Sequence, residues 1–276
     1  MTARAAVEEA ARQLAVAGVP APRREGRLLL LAVGGPDVLL EPAAELGPAA
    51  SAFAMAVARR ARREPFAYIV GYREFYGLRL AVGPDVLIPR PETEGLVEHA
   101  ARLAPPGGRA ADLCTGSGAV AIALAWTRPD LVIDASDLFP AALEVARVNL
   151  AACEIGARVR LHQGDLWEAL PAAAYDVCTC NPPYVATEEW ERLEPEVREW
   201  EPEVALVPAG GWRAMYRRLA AGASTRLAPG GWLLAEIGGG QGAAVAAIFA
   251  EAGLGDVQVR ADLAGLPRYC LGRRMR

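Results

Sequence analysis

The segment CNPPYV, residues 180–185, places an amide side chain, two prolines and an aromatic ring directly after a predicted buried strand. Proline has no backbone N–H, so Pro182 and Pro183 cannot continue a central strand and must end it. The rigid turn would hold Asn181 and Tyr184 in fixed positions. The Asn181 side-chain oxygen and the Pro182 carbonyl could each accept a hydrogen from a planar NH2 group, against which the Tyr184 ring could lie. The segment predicts a clamp for a planar amine or amide.

The segment DLCTGSGAVAIAL, residues 112–124, joins another predicted strand to a helix. Gly116 and Gly118 would let a ligand approach the backbone, and the helix N-terminus offers amide donors that lack intrahelical partners. Neither GxxxxGK[ST] nor GxGxxG is complete here, which weakens the interpretation as a nucleotide-phosphate site. The alternative ligand is S-adenosylmethionine, whose carboxylate can use the same amide donors.

Acidic residues follow the next two predicted strands. Asp137 could accept hydrogen bonds from both hydroxyls of a ribose. Asp165, in the segment GDLW, could hydrogen-bond an adenine that Leu166 or Trp167 contacts. A single acidic residue after a strand is more commonly a turn or a helix cap. The glycine loop, Asp137 and the segment GDLW follow three successive predicted strands, however, and together they fit one extended nucleoside better than three accidents.

These two features together indicate methyl transfer to a planar nitrogen. The lone pair of an amide or aromatic amine is delocalised, which makes the nitrogen a poor nucleophile that must be oriented. Catalysis would then rest on proximity, orientation and dipoles that favour positive charge on nitrogen. No strong base is required before transfer, and we expect His99 and His162 to be structural or surface residues.

The elements that must position these residues form an α/β pattern after residue 109. Strand-like and helical segments alternate, which predicts a doubly wound, mostly parallel sheet with ligands at the carboxyl ends of its strands. The seven strand candidates are AADLC (110–114), LVIDAS (131–136), ARVRLHQ (157–163), YDVCTC (175–180), GWLLAEI (231–237), DVQVR (256–260) and RYCLG (268–272).

The preceding residues predict a smaller helical region. Apolar periodicity predicts helices over about 2–17, 22–33 and 48–63. Residues 64–94 are rich in aromatic residues and glycine and predict a β-hairpin that links two domains. Its aromatic residues could pack across strands or face a substrate. The resulting division is a helical substrate-recognition domain (1–66), a β-hairpin linker (67–88) and a methyltransferase domain (89–276).

The charge balance and the N-terminus restrict partners and location. A net charge of −4 argues against general binding to a phosphate backbone, although Arg59, Arg60, Arg62 and Arg63 could form a local basic face. The N-terminal MTARAAVEEA carries acidic residues where a signal peptide needs an apolar segment, and charges interrupt each apolar stretch. We expect a cytoplasmic protein that does not enter a membrane.

The cysteines predict no metal site. The chain contains five cysteines without CxxC spacing and only two histidines. Cys178 and Cys180 point to the same side of one predicted strand and are expected to be small buried apolar residues.

NPPY after the fourth strand, with DLCTGSG upstream, resembles the methyltransferases that modify planar nitrogens. More narrowly, LIPRPETEGLVE (87–98), REFYGL (73–78) and EPEVAL (201–206), together with the helical N-terminal region, resemble the release-factor glutamine methyltransferase family known as HemK or PrmC. The motifs span residues 64–276. The resemblance implies a seven-stranded S-adenosylmethionine-dependent methyltransferase fold. It also implies transfer of methyl to the side-chain amide nitrogen of the glutamine in the GGQ motif of peptide-chain release factors, with S-adenosylhomocysteine as product.

The resemblance assigns roles to residues of this sequence. The family's cofactor contacts correspond to Cys114, Thr115, Gly116, Ser117, Gly118, Asp137, Asp165, Leu166 and Asn181. The substrate clamp corresponds to Asn181, Pro182, Pro183 and Tyr184, of which Asn181, Pro182 and Tyr184 would be catalytic.

Two departures from the family pattern and one internal match affect these expectations. Cys114 replaces the glycine usual at the start of the loop, a change that is tolerable if the residue keeps a strand-like backbone. The segment VPAGGW (207–212) lacks the Asp-Gly often found there, so no role is assigned to it. The chain also contains GGQ at 239–241, which loop geometry explains better than self-methylation.

Two other classes of function use parts of the same pattern. A nucleic-acid methyltransferase acting on the exocyclic amine of adenine could use NPPY in the same way, with Tyr184 stacking on a flipped base. Such an enzyme is expected to carry a basic groove or a recognition domain. A non-catalytic nucleoside-binding protein would bind the cofactor and need no NPPY clamp.

Overall fold

A computed structural model describes residues 1–275, which form two compact units. The first unit contains residues 1–72 and 193–200, and the second contains residues 73–192 and 201–275. No helix among the described residues has the length and apolar character needed to cross a bilayer.

The first unit is helical. It contains α1 (Ala3–Val16), α2 (Pro22–Ala32), α3 (Ala49–Ala61), α4 (Phe66–Val70) and the short α8 (Pro195–Arg198). The three predicted helices are confirmed to within about two residues, and Thr2 caps α1 through its hydroxyl, which accepts from the Ala5 N–H. Leu14, Leu29 and Phe53 are buried in a common core.

The segment 193–200 joins this unit through ion pairs rather than through sequence proximity. Arg60 is only 5% exposed, and its guanidinium contacts Glu25 at 2.9 Å and Glu196 of α8 at 3.0 Å. Arg63 also donates to Glu196, at 2.7 Å. The two arginines are therefore paired with acidic residues of their own unit.

The second unit is built on a seven-stranded sheet. Its strands are β3 (Arg109–Leu113), β4 (Val132–Asp137), β5 (Val159–Gln163), β6 (Tyr175–Cys180), β7 (Leu227–Glu236), β8 (Leu254–Ala261) and β9 (Pro267–Arg274). The order across the sheet is β5-β4-β3-β6-β7-β9-β8. Strands β3 to β7 pair in parallel, whereas β9 runs antiparallel to both neighbours. The predicted doubly wound, mostly parallel seven-stranded sheet is confirmed.

Helices cover both faces of this sheet. One apolar core contains α5 (Glu94–Leu103) and α6 (Ala119–Thr127), and the other contains α9 (Trp212–Arg226) and α10 (Gly242–Glu251). Helix α7 (Pro140–Ala152) lies beside β4 and β5. Successive residues of β7 face opposite sides, because Leu234 packs in the first core and Leu233 in the second.

The hairpin is shorter than predicted. Residues of the predicted range 64–94 form a strand pair only at β1 (Tyr72–Phe75) and β2 (Leu78–Ala81). Pro65 precedes helix α4 instead, and Gly71 ends that helix with a left-handed φ of 81°. The aromatic residues Phe66 and Tyr68 therefore lie on a helix, and the predicted domain limits at 66 and 88 stay predictions.

The cysteines behave as small buried residues. Cys178 and Cys180 are buried in the core shared with α9 and α10, and burial raises the pKa of each thiol well above its usual range. All five cysteines are free.

The Arg60 pairs generate a prediction for stability. Arg60→Met should destabilise the helical unit by about 3 kcal/mol, because it leaves the partly buried carboxylate of Glu25 without its cation and removes one of the two cations that contact Glu196. Amide hydrogen exchange of α1 to α3 measures this loss as reduced protection. Arg12→Met removes an exposed pair with Glu9 and serves as the matched control, with protection unchanged. Equal protection in the two variants would contradict the role of the buried pairs.

Candidate functional site

A cavity of about 1010 Å³ opens at the carboxyl ends of β3, β4 and β6. Strands β4 and β5 lie on one side of β3 and strands β6 and β7 on the other, so this is the point at which the strand order reverses and a ligand crevice is expected. The predicted site residues that line it are Cys114, Thr115, Gly116, Ser117, Asp137, Asp165, Leu166, Asn181 and Pro183.

The loop between β3 and α6 has an unusual backbone. Cys114, Gly116 and Gly118 have φ values of 57°, 54° and 80°. The expectation that Cys114 keeps a strand-like backbone is therefore wrong, because the residue lies in the left-handed region. That region costs a non-glycine residue roughly 1–2 kcal/mol, so glycine would fit this position with less strain than cysteine.

Gly118 has a different role from its neighbours. It does not line the cavity but precedes α6 without a side-chain cap. A Cβ at this position would lie 3.1 Å from Ile122 and 3.2 Å from Ala146. Gly118 therefore lets α6 and α7 approach each other closely, and it offers no side chain of its own to cap the first amides of α6.

Asp112, a residue to which the sequence analysis assigned no role, holds this loop in place. Its buried carboxylate accepts from the hydroxyls of Thr115 at 2.6 Å and Thr179 at 2.8 Å. Burial raises the pKa of Asp112 to about 6, although the two hydrogen bonds act to lower it. The Thr115 N–H also donates to the Ser136 carbonyl at 2.9 Å, which ties the loop to β4.

Asp137 lies at the end of β4 with its carboxylate at the cavity wall. Its two oxygens accept from the backbone N–H groups of Gly116 and Phe139, at 2.9 and 3.0 Å. Burial raises its pKa. Each carboxylate oxygen can accept a second hydrogen bond, so the geometry leaves two acceptor positions for a diol.

The two apolar residues after β5, Leu166 and Trp167, have different surroundings. Leu166 lines the cavity with a φ of 47°, whereas Trp167 is buried in the core and donates to the Leu219 carbonyl at 2.8 Å. Of the two, only Leu166 is placed to contact a ligand. The Asp165 carboxylate pairs with Arg218 at 2.5 Å, so a base would have to share it with that cation.

The clamp residues are held by a hydrogen-bonded chain below the cavity. Asn181 donates through Nδ2 to the Thr93 hydroxyl at 3.2 Å, and Thr93 donates to Glu236 at 2.6 Å. The Tyr184 hydroxyl donates to the other Glu236 oxygen at 3.1 Å. Sequence reasoning named neither Glu236 nor a role for Thr93.

Glu236 is nearly inaccessible, with 1% of its surface exposed. Burial raises its pKa, while the hydrogen bonds from Thr93 and Tyr184 and the charge of Arg268 act in the opposite direction. The contacts of Glu236 bring the PRPETE and NPPY segments together at the end of β7.

A second, smaller cavity of about 30 Å³ adjoins the clamp. Asn181 lines both cavities, whereas Pro182 and Tyr184 line only the smaller one. This volume is about that of one water molecule in the liquid, so it suits a small polar group.

Gln241 of the internal GGQ is a structural residue. It is 7% exposed, its Nε2 donates to the Tyr184 carbonyl at 2.8 Å and its Oε1 accepts from the Gly238 N–H at 3.0 Å. Both ends of the side chain are used, which agrees with a loop role and not with self-methylation.

The PRPETE and EPEVAL segments are joined by Glu201. It accepts from the Ile88 N–H at 3.0 Å and pairs with Arg90 at 2.5 Å. Glu94 accepts from the Tyr76 N–H at 2.7 Å. These contacts fix the segment 87–94 that carries Thr93.

The histidines lie outside both cavities. His162 contacts Asp134 at 2.8 Å, and the ring of His99 packs edge-on against Tyr269. Their placement agrees with the expected structural or surface roles. No group of three or more metal-ligating side chains occurs among residues 1–275.

Comparisons with known proteins place both units. The PrmC N-terminal domain model matches residues 5–71, and the methyltransferase small domain model matches residues 92–194. The chain is 44% identical over 277 residues to a release factor glutamine methyltransferase of Cereibacter sphaeroides, covering 99% of both chains. It is 46% identical over 220 residues to one of Neisseria gonorrhoeae, covering 79% of this chain and 80% of the other. A methyltransferase structure from Pyrococcus furiosus has a TM-score of 0.57 at 17% identity, covering 79% of this chain and 99% of that one, and supports the fold.

The left-handed Cys114 generates a prediction for cofactor binding. Cys114→Gly should bind S-adenosylhomocysteine within about threefold of the parent, because glycine accepts this backbone freely. Cys114→Val should bind at least about tenfold more weakly, because a β-branched side chain disfavours the left-handed region and shifts the loop amides. Titration calorimetry measures the affinity of each variant for S-adenosylhomocysteine. Equal affinities of Cys114→Gly and Cys114→Val would contradict the explanation from the left-handed backbone.

Proposed function

The chain belongs to the release factor glutamine methyltransferase family, and from that membership we propose its reaction and its substrate. It transfers a methyl group from S-adenosylmethionine to the side-chain amide nitrogen of the glutamine in the GGQ motif of peptide-chain release factors. The observation that carries the proposal is the fixed Asn181 amide, whose Nδ2 donates to Thr93 while no described group donates to Oδ1. A cytoplasmic location is part of the proposal, since the substrates act in translation termination.

The residues around the large cavity fit the cofactor. Asp137 retains acceptor capacity for the ribose hydroxyls, the backbone amides at the start of α6 suit a carboxylate, and Leu166 suits the adenine face. When bound, S-adenosylmethionine supplies an electrophilic methyl group. Cys114 to Ser117 would hold its amino-acid end, with Asp165 and Asn181 beside it and Gly118 setting the helix position.

The clamp would orient the acceptor. Asn181 Oδ1 and the Pro182 carbonyl would each accept one hydrogen of the glutamine NH2, so that the face of the nitrogen is presented toward the large cavity. Pro183 fixes the turn, and the Tyr184 ring would border the flat amide. Orientation and the two carbonyl dipoles favour positive charge on nitrogen, and its proton can leave after transfer.

The helical unit is proposed to recognise the release factor. Its arginines do not favour the alternative substrate, nucleic-acid adenine. Of the four arginines that could form a basic face, Arg60 and Arg63 are paired with Glu196 and Arg59 forms a charge-assisted contact with Glu64, whereas Arg62 is exposed. Pairing of this kind lowers the positive field that a phosphate backbone would need.

Labelled S-adenosylmethionine tests the function directly. The purified protein should label an intact release factor, and it should not label the same factor with its GGQ glutamine replaced, nor an adenine-containing nucleic acid. Label on the nucleic acid alone would reject the glutamine assignment and favour adenine. Cofactor binding without any transfer would favour a non-catalytic nucleoside-binding protein.

Variants should separate the two sites. Asn181→Ala should lower kcat about 100-fold or more, because one of the two orienting acceptors is lost, while cofactor affinity changes little. Asp137→Ala should weaken cofactor binding first, because the ribose loses its acceptors. Titration calorimetry measures the cofactor affinity of each variant, and a turnover assay measures its kcat. A parallel loss of cofactor affinity and kcat in Asn181→Ala would argue against separate roles for Asn181 and Asp137.

A further inference from the structure

The hydrogen-bonded chain behind the clamp has a defined direction. It runs from Asn181 Nδ2 to Thr93 Oγ1 over 3.2 Å and from Thr93 Oγ1 to Glu236 Oε2 over 2.6 Å. Thr93 and Glu236 are 4% and 1% exposed, so solvent offers them few alternative partners. The three residues lie in the same compact unit.

The chemistry of the three groups determines that direction. A carboxylate only accepts hydrogen bonds, and both Glu236 oxygens are occupied, one by Thr93 and one by Tyr184 at 3.1 Å. Thr93 has one hydroxyl proton, and it is committed to Glu236. Its oxygen can then only accept from Asn181, which requires the Nδ2 end of the amide.

We propose that Glu236, acting through Thr93, is a positioning residue that turns the Oδ1 end of Asn181 toward the acceptor and so selects an N–H donor over a carboxylate. The inference rests on the proposed function and adds the determinant of amide specificity. The two ends of an amide have nearly the same shape, so packing alone distinguishes them poorly. The polarity of a buried hydrogen-bonded chain can distinguish them.

Charge-exchanging variants test this direction. In Glu236→Gln the new amide can donate to Thr93, whose proton then turns to Asn181 and reverses its amide. In Asn181→Asp two carboxylates compete for one Thr93 proton. Each single variant should lose at least about tenfold in kcat/KM, the effect of one misdirected hydrogen bond.

The double variant reverses the whole chain while keeping an acceptor in the site. With Asn181→Asp and Glu236→Gln together, residue 236 donates to Thr93, Thr93 donates to residue 181, and a carboxylate oxygen still faces the acceptor. We expect the double variant to exceed both single variants in kcat/KM. Losses that multiply, with no recovery, would overturn the proposal, because independent structural damage gives that result.

Variants of Thr93 test its place in the hydrogen-bonded chain. Thr93→Val should abolish the recovery in the double variant, and Thr93→Ser, which keeps the hydroxyl, should preserve most of it. Thr127→Val is the matched control, because the Thr127 hydroxyl donates to the Ala123 carbonyl within α6. Cofactor affinity should stay within about twofold in Glu236→Gln, because Glu236 lines neither cavity. Recovery that persists in Thr93→Val would remove Thr93 from the chain.

A readout without substrate separates this proposal from the proposed function. Exchange of the Asn181 side-chain NH2 protons, followed by NMR, should be at least about tenfold faster in Thr93→Val than in the parent, because their acceptor is lost. Unchanged exchange would contradict the positioning role even if methyl transfer occurs. Absence of methyl transfer by the parent protein, with slow Asn181 exchange, would instead reject the release-factor reaction and leave the positioning intact.

Discussion

The site depends on a buried carboxylate at the end of β7. Removing a charge from water costs several kcal/mol unless hydrogen bonds compensate it, so Glu236 requires donors. Thr93 supplies one from the segment before α5, and Tyr184 supplies another from the turn after β6. The need to satisfy one buried group thus brings two distant motifs into contact. Gln241, five residues after Glu236, supports the same turn through the Tyr184 carbonyl.

The large and the small cavity share the turn after β6. The parallel pairing of β3 with β4 and β6 brings the Asp112 loop, Asp137 and Asn181 to the same edge of the sheet. Asn181 lines both the large and the small cavity, so it stands where a methyl donor and an acceptor would meet. The buried chain behind it allows little freedom to the amide, which suits a reaction that depends on orientation.

Local patterns predicted the strands, the glycine loop and the end of β6 before the two prolines, because strand ends and prolines act over a few residues. The contacts that hold the clamp were not predictable from one sequence, since Thr93 is 143 residues from Glu236 and 88 from Asn181. Cys114 was misjudged because its left-handed backbone depends on the loop as a whole. The hairpin range was too wide because aromatic residues at Phe66 and Tyr68 suit a short helix as well as a strand.

The orientation of the Asn181 amide in a ternary complex tests the central claim most directly. Neutron diffraction from crystals with S-adenosylhomocysteine and a GGQ-containing release factor would locate the hydrogens of the Asn181, Thr93 and glutamine side chains. The predicted result is Nδ2 hydrogen-bonded to the Thr93 oxygen and Oδ1 accepting a hydrogen of the substrate amide. An Asn181 Nδ2 that donates to the substrate, with Oδ1 toward Thr93, would contradict the account.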